Sequence, residues 1–245
     1  MAQYVERLLS AGVAGTRTSH GAEDNLHKIR LLTEFDAGTT FGMDELLRGV
    51  GFEEAYEAVA YHLGYPPDAE KTPGRGCIDP ARTAAGLREA GERIRATAGV
   101  GGRIIFGTGH PGALLVYYLG LARWVEHLGG ETLVMESRGR DEREVPLDWA
   151  GPVAVMADGA SMLHTHDPDP MRHVLRQAGA VDLVVADHGF AGAAVAAGIP
   201  VVAIMDTNDP ALAVVAGRGA DVTVIPMDDN RPLNSYTAAL EVLNA

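Results

Sequence analysis

The chain has 245 residues, 47% of them hydrophobic, and a net charge of -13, which suits one sizeable α/β core rather than a disordered tail. The acidic balance argues against a nucleic-acid partner, whose phosphates need a basic face, although a small anionic substrate stays compatible because the field in a cleft differs from the net charge. No apolar run is long enough to span a bilayer, no signal-peptide pattern opens the chain, and the one cysteine, Cys77, excludes an internal disulfide and suits a reducing cytoplasm.

Residues 1–75 read as a helical layer or cap. A short amphipathic piece at 4–9 precedes a helix at 22–35, with Leu26, Ile29, Leu32 and Phe35 along one side. Residues 43–50 and 53–63 continue the helical style. Ser19, His20, Asp24, Asn25 and Lys28 would point either into a cleft or, as charged residues more often do, into solvent. Residues 65–76, rich in proline, glycine and charge, are the linker or lid candidate.

Residues 76–245 read as an α/β domain. Asp79 and Pro80 form the N-cap and first position of a helix that runs to about Ala98. The central unit follows: an apolar strand from Arg103, the turn Gly107-Thr108-Gly109-His110-Pro111-Gly112, and a helix over 113–128. A second strand is expected at 131–136, then a charged segment at 137–144 carrying Arg138, Arg140 and Arg143. A third strand at 152–156 is followed by Asp158-Gly159, a hairpin signal, with a returning strand that carries His164 and His166. A helix at 171–177 comes next. Three strand–helix units complete the chain, with strands at 182–186, 200–205 and 222–225. The expected fold is a doubly wound, mostly parallel sheet of about six strands with an N-terminal helical layer.

The polar residues gather where strands end. Gly107 to His110, Asp187-His188-Gly189, Asp206-Thr207-Asn208-Asp209 and Asp228-Asp229-Asn230-Arg231 each follow an apolar run. Each alone equally suits helix capping or a turn. Together they would share the carboxyl edge of a parallel sheet, where ligands bind at the reversal of strand order. His164 and His166, two apart on one strand face, suit the start of a metal site. The chain has no Gly-x-x-x-x-Gly-Lys-Ser/Thr loop and no Gly-x-Ser-x-Gly elbow, and its central turn lacks the full dinucleotide fingerprint.

Gly76-Cys77-Ile78-Asp79-Pro80, Phe106-Gly107-Thr108-Gly109-His110-Pro111, Asp158-Gly159-Ala160-Ser161 with His164-Thr165-His166, Asp187-His188-Gly189-Phe190, Asp206 to Pro210 and Pro226 to Pro232 together carry a likeness. In these segments the chain, from Gly76 to its C-terminus, resembles an actinobacterial family described only as phosphatase. The resemblance implies phosphatase activity and assigns no residue roles.

From the residues themselves, the expected reaction is phosphate release from a small phosphorylated metabolite in the cytoplasm. Gly107, Thr108, Gly109 and Arg231 are expected to hold the phosphate. His110, Asp187 and His188 are the catalytic candidates. Asp187, Asp206, Asp228, His164 and His166 are the metal candidates, for Mg²⁺ first, with Mn²⁺ or Zn²⁺ as alternatives. Asn208, Asp229 and Asn230 are expected at the substrate. A sugar-phosphate isomerase or lyase, or a non-catalytic sugar-phosphate or nucleotide sensor, would use the same cleft. A homodimer stays open.

Overall fold

The computed structural model describes residues 2–135 and 146–245, so the charged segment and the end of the expected second strand lie outside the described residues. Among the described residues eight strands form one sheet: β1 (Arg103–Thr108), β2 (Glu131–Thr132), β3 (Leu147–Ala150), β4 (Val153–Ala157), β5 (Met162–Leu163), β6 (Leu183–Asp187), β7 (Val201–Met205) and β8 (Val222–Pro226). The order is β3-β4-β1-β6-β7-β8, with β2 on β1 and β5 on β4. The run from β4 to β8 is parallel, and β3 and β5 each pair antiparallel with β4. The Asp158-Gly159 hairpin forms, but its returning strand stops at Leu163, before the two histidines. Strand β3 escaped the sequence reading. Its signal is the Trp149 run closed by Gly151-Pro152, with Gly151 in the left-handed region at φ 62°.

Alternate residues of each strand enter opposite cores, as period-2 geometry requires. Ile105, Val184, Ala186, Ala203 and Met205 face one way. Ile104, Phe106, Val185, Val202 and Ile204 face the other. The second core is covered by α1 (Ala2–Ala11), α5 (Pro80–Ala98), α6 (Pro111–His127) and α10 (Thr237–Leu243). The first is covered by α2 (Ala22–Thr33), α4 (Phe52–Leu63), α7 (Asp169–Ala178), α8 (His188–Ala196) and α9 (Pro210–Gly217), with Phe41 just after the short α3 (Ala37–Thr40). The N-terminal helices therefore share cores with the sheet. Asp79 caps α5 by accepting from the Ala81 N–H at 2.9 Å, with Pro80 at the first position.

One expected helix is absent. Residues 43–50 form successive turns. Gly42 and Gly49, at φ 77° and 72°, break the helical path. Met43, Leu47 and Val50 are buried all the same, so their spacing recorded burial and not helix.

The strand order reverses around β1 and β6: the chain leaves β1 for β4 on one side and returns to β6 on the other. The carboxyl ends of β1 and β6 thus flank the crevice in which ligands of open α/β sheets bind.

The N-terminal layer is held against α8 at very close range. A Cβ on Gly192 would lie 2.1 Å from the Phe41 carbonyl oxygen. Gly192→Ala is therefore expected to destabilise by about 1–3 kcal/mol, lowering Tm by several degrees in a thermal melt. Gly217→Ala, where a Cβ meets nothing within 4 Å, serves as control. Equal melting temperatures for the two variants would show that the layer and α8 separate without penalty.

Candidate active site

The tip of β6 turns into α8 within one residue. Asp187 ends the strand at the N-cap position of the helix without a side-chain capping bond, and His188 takes φ 44°, a left-handed conformation that costs a residue with a Cβ on the order of 1–2 kcal/mol. Backbone packs on backbone around it. A Cβ on Gly189 would lie 2.3 Å from the His166 carbonyl oxygen, and one on Gly109 would lie 2.2 Å from that of Thr165. Thr165 also donates its N–H to the Gly109 carbonyl at 2.8 Å. The segment after β5 is thus seated on the β1 and β6 tips, which brings His164 and His166 to His110 and His188.

Four imidazoles result. The rings of His110 and His164 stack with centroids 4.4 Å apart, and His166 and His188 lie 4.5 Å apart. Carboxylates approach from the next two strand ends. His188 Nε2 is 3.0 Å from Asp229 Oδ2 and 3.6 Å from Asp209 Oδ2. His110 Nδ1 is 3.4 Å from Asp229 Oδ1. Despite these distances, His110 Nδ1, His188 Nδ1 and Asp229 Oδ2 are buried without a hydrogen-bond partner. Buried polar atoms are normally paired. Atoms that converge without aligning on one another fit a common ligand between them. Two such groups exist among the described residues, His110–His164–His188 and His188–Asp209–Asp229. Both suit a divalent metal, and they share His188.

With only protein groups present, the charges of the cluster sort themselves. Burial works against the His188 cation, but Asp209 and Asp229 outweigh it and hold the imidazole protonated well above its ordinary range. Burial likewise opposes the His110 cation, and contact with Asp229 raises it. Burial also opposes the Asp229 carboxylate, which His110 and His188 nonetheless keep ionised far below its usual range. Burial, with repulsion from His188 and His110, lowers His164 to about 4, so its ring is a neutral donor at pH 7. His166 is lowered for the same leading reason, and its Nδ1 sits 2.6 Å from the Gly38 carbonyl oxygen, which fixes the ring with Nε2 toward the cluster.

The structure places several of the expected site residues away from the ligand groups. Thr108 and Gly109 do not offer free donors to a phosphate: the Thr108 hydroxyl donates to Asp187 Oδ2 at 2.6 Å and the Gly109 N–H to Asp187 Oδ1 at 2.7 Å. Gly107 lies within β1 against Phe190 and Met171. Asp187 is thereby turned inward and joins neither ligand group. Asp228 accepts from the Ser19 N–H, the Ser19 hydroxyl and the Asn230 N–H, and it too stands outside both ligand groups. Asp206 accepts from the Thr207 N–H, and burial beside other carboxylates raises it well above its usual range. His166 stands outside both ligand groups. Arg231 points away from the cluster, with Nε 2.7 Å from Asp228 Oδ2 and a second nitrogen bonded to the Arg17 carbonyl.

The cavity over the cluster holds about 250 Å³ and is lined by the histidines, Asp209, Asp229, Asn208, Asn230 and three residues of the N-terminal layer, His20, Asp24 and Lys28. Lys28 is its cation in place of Arg231. His20 Nδ1 is 2.7 Å from Asp24 Oδ2, and Nε2 is 3.7 Å from Asp206 Oδ2. Asn208 donates to Asp24 at 2.9 Å, and the Asn230 amide lies 3.4 Å from His20 Nε2. Asn208 thus holds an Asp24–His20 pair at the rim. Phe41, also from the N-terminal layer, walls the site beside His166 and His188.

Fold and site together define an α/β enzyme with a metal-capable crevice at its strand-order reversal. The sequence model of a family described as Phosphatase matches residues 1–243. A curated relative, Phosphatase SCO2771 of Streptomyces coelicolor, is 33% identical over 234 residues, which cover 94% of this chain and 88% of the relative. The chain belongs to the Phosphatase family and is a phosphatase. Among the described residues, no helix is long and apolar enough to cross a membrane.

The ligand groups make the metal content measurable without an assay of turnover. Chelation is expected to strip bound divalent metal and lower Tm, and saturating metal to restore it by the about 2.7 kcal/mol that a hundredfold excess over Kd supplies. Asp209→Asn should weaken metal uptake by at least about tenfold. Asp228→Asn should lower Tm while leaving metal stoichiometry intact. The reverse pattern by elemental analysis would return the metal to Asp228.

Proposed function

We propose that the chain hydrolyses the phosphomonoester of a small metabolite with a divalent cation held by His110, His164 and His188 and by Asp209 and Asp229. The observation that carries this reading is the set of buried imidazole and carboxylate atoms that converge unpaired beneath a small cavity with Lys28 at its rim. Family membership supports the phosphatase chemistry, and the cavity volume supports a small substrate. The imidazole-rich donor set favours Mn²⁺ or Zn²⁺ over the Mg²⁺ that an all-aspartate site would take.

A cation bound there would polarise the phosphoryl oxygens and lower the pKa of an attacking water. The chain's own groups do the rest. Lys28 attracts the phosphate and offsets its charge against the surrounding carboxylates. Asp24 accepts from His20 Nδ1 and so orients the ring, leaving Nε2 to face the cavity. As the ester P–O bond breaks, the departing oxygen takes the Nε2 proton of His20. Asn208, which donates to Asp24, keeps this pair in place and is a positioning residue. His188, fixed by its strained backbone, holds both ligand groups to one frame.

Proton donation matters most for a poor leaving group. His20→Gln is therefore expected to cut kcat for alkyl phosphates by at least about a hundredfold, while p-nitrophenyl phosphate, whose phenolate leaves without a proton, loses about tenfold or less. Phosphate release before and after chelation, measured on both substrates, checks the whole reading. Equal losses on the two substrates would remove His20 as the acid. Turnover indifferent to chelation would remove the metal.

A further inference from the structure

On the far side of Asp228 lies a second cavity, of about 410 Å³, lined by Arg17, Arg75 and Arg231 together with Gly12, Gly15 and Thr16. None of its lining residues is acidic, in a chain whose net charge is -13. Among the described residues, neither Arg17 nor Arg75 makes an ion pair, and Arg231 has only Asp228, with its buried Nε lacking an aligned partner. Three guanidinium groups line one cavity while a single carboxylate, Asp228, is paired to Arg231, so the other two lack a counter-charge that a bound oxyanion would supply.

The walls are tied by backbone. Gly15 and Ile78 exchange two N–H···O=C bonds of 2.8 Å, the Gly76 N–H donates to the His20 carbonyl at 2.7 Å, and the Asp228 N–H donates to the Val13 carbonyl at 2.9 Å. These bonds fix the chain beside each arginine, so only side chains need order when a ligand enters. Gly12, at φ 76°, and Gly15, at φ 116°, turn the loop; a Cβ on Gly12 would touch the Arg231 guanidinium at 3.8 Å, and one on Gly15 would lie 2.9 Å from Leu9.

We propose that this arginine cavity binds a phosphate or carboxylate group separate from the one hydrolysed. It shares a wall with the active site. Asp228 accepts from Ser19, next to His20 of the catalytic cavity, and meets Arg231, next to Asn230 of the same cavity. The oxyanion comes either from the distal end of a doubly anionic substrate, in which case the inference rests on the phosphatase reading above, or from free phosphate in solution.

The test uses the metal-loaded enzyme and Arg17→Ala/Arg75→Ala. Both side chains are exposed, so the variant should keep its Tm. Arg231 is left alone, because its removal would strand the buried Asp228 carboxylate. Kinetics with p-nitrophenyl phosphate, which has no second charge, should be unchanged. Binding of inorganic phosphate is followed by calorimetry in parallel, in parent and variant, with and without chelator. A KM at least about tenfold higher for bisphosphorylated sugars alone places the distal substrate group in the cavity. Unchanged KM with loss of a chelator-resistant phosphate-binding event places free phosphate there. If phosphate binding and both KM values match the parent, the cavity binds no oxyanion and the proposal falls. Because the calorimetry does not depend on turnover, failure of the phosphatase chemistry would leave this outcome readable.

Discussion

The structure turns on the burial of five aspartates at one edge of the sheet. Asp187, Asp206, Asp209, Asp228 and Asp229 are each no more than 3% exposed. A buried carboxylate is costly unless donors or cations compensate it. The fold answers differently for each. Asp187 takes a hydroxyl and a backbone N–H from the β1 tip, which pins β1 to β6 at the crevice. Asp228 takes Ser19, the Asn230 N–H and Arg231. Asp209 accepts from the Asp206 N–H at 3.0 Å. Burial still raises Asp187, Asp206 and Asp228 above the usual carboxylate range. Asp206 and Asp229 each keep a buried Oδ2 without a hydrogen-bond donor, and of the two only Asp229 is held ionised, by two imidazoles. The charge left over suits the site to a cation.

That same requirement explains the N-terminal layer. The strand ends cannot supply enough donors, and residues 19–41 make up the difference. Ser19 satisfies Asp228, the Gly38 carbonyl orients His166, and His20, Asp24 and Lys28 form the rim. The glycine contact at Gly192 and Phe41 sets how closely this layer can approach. Binding site and fold are therefore the same construction here, and the layer is as much floor and wall as cover.

Much of this was legible in the sequence, and the reasons for what was not are physical. The strands of the last third were readable because a buried parallel strand is a continuous apolar run, and their polar ends were readable because ligands meet the carboxyl edge. Which aspartate does what was not readable. Asp187 and Asp209 both follow strands and precede helices, and only the position of the β1 tip turns one inward and leaves the other open. His20, just before α2, and Lys28, on it, look like solvated polar residues until that segment docks over the crevice. Arg231 is one residue from Asn230, yet the chain reverses so that the two line different cavities. The turns at 43–50 imitate a helix because glycine-broken turns can bury the same apolar spacing.

The two ligand groups differ in the charge they bring, and that difference orders the chemistry. His110, His164 and His188 as neutral ligands contribute no charge, whereas Asp209 and Asp229 contribute two negative charges beside the same His188. A divalent cation bound nearer the carboxylates would have its charge offset by them, whereas the imidazoles would leave that charge undiminished, to act with Lys28 on a phosphate dianion. His188 belongs to both groups, and the one strained residue at the start of α8 fixes their separation. Paying a left-handed backbone at that position is reasonable, because a relaxed histidine would set the two groups independently and lose their register.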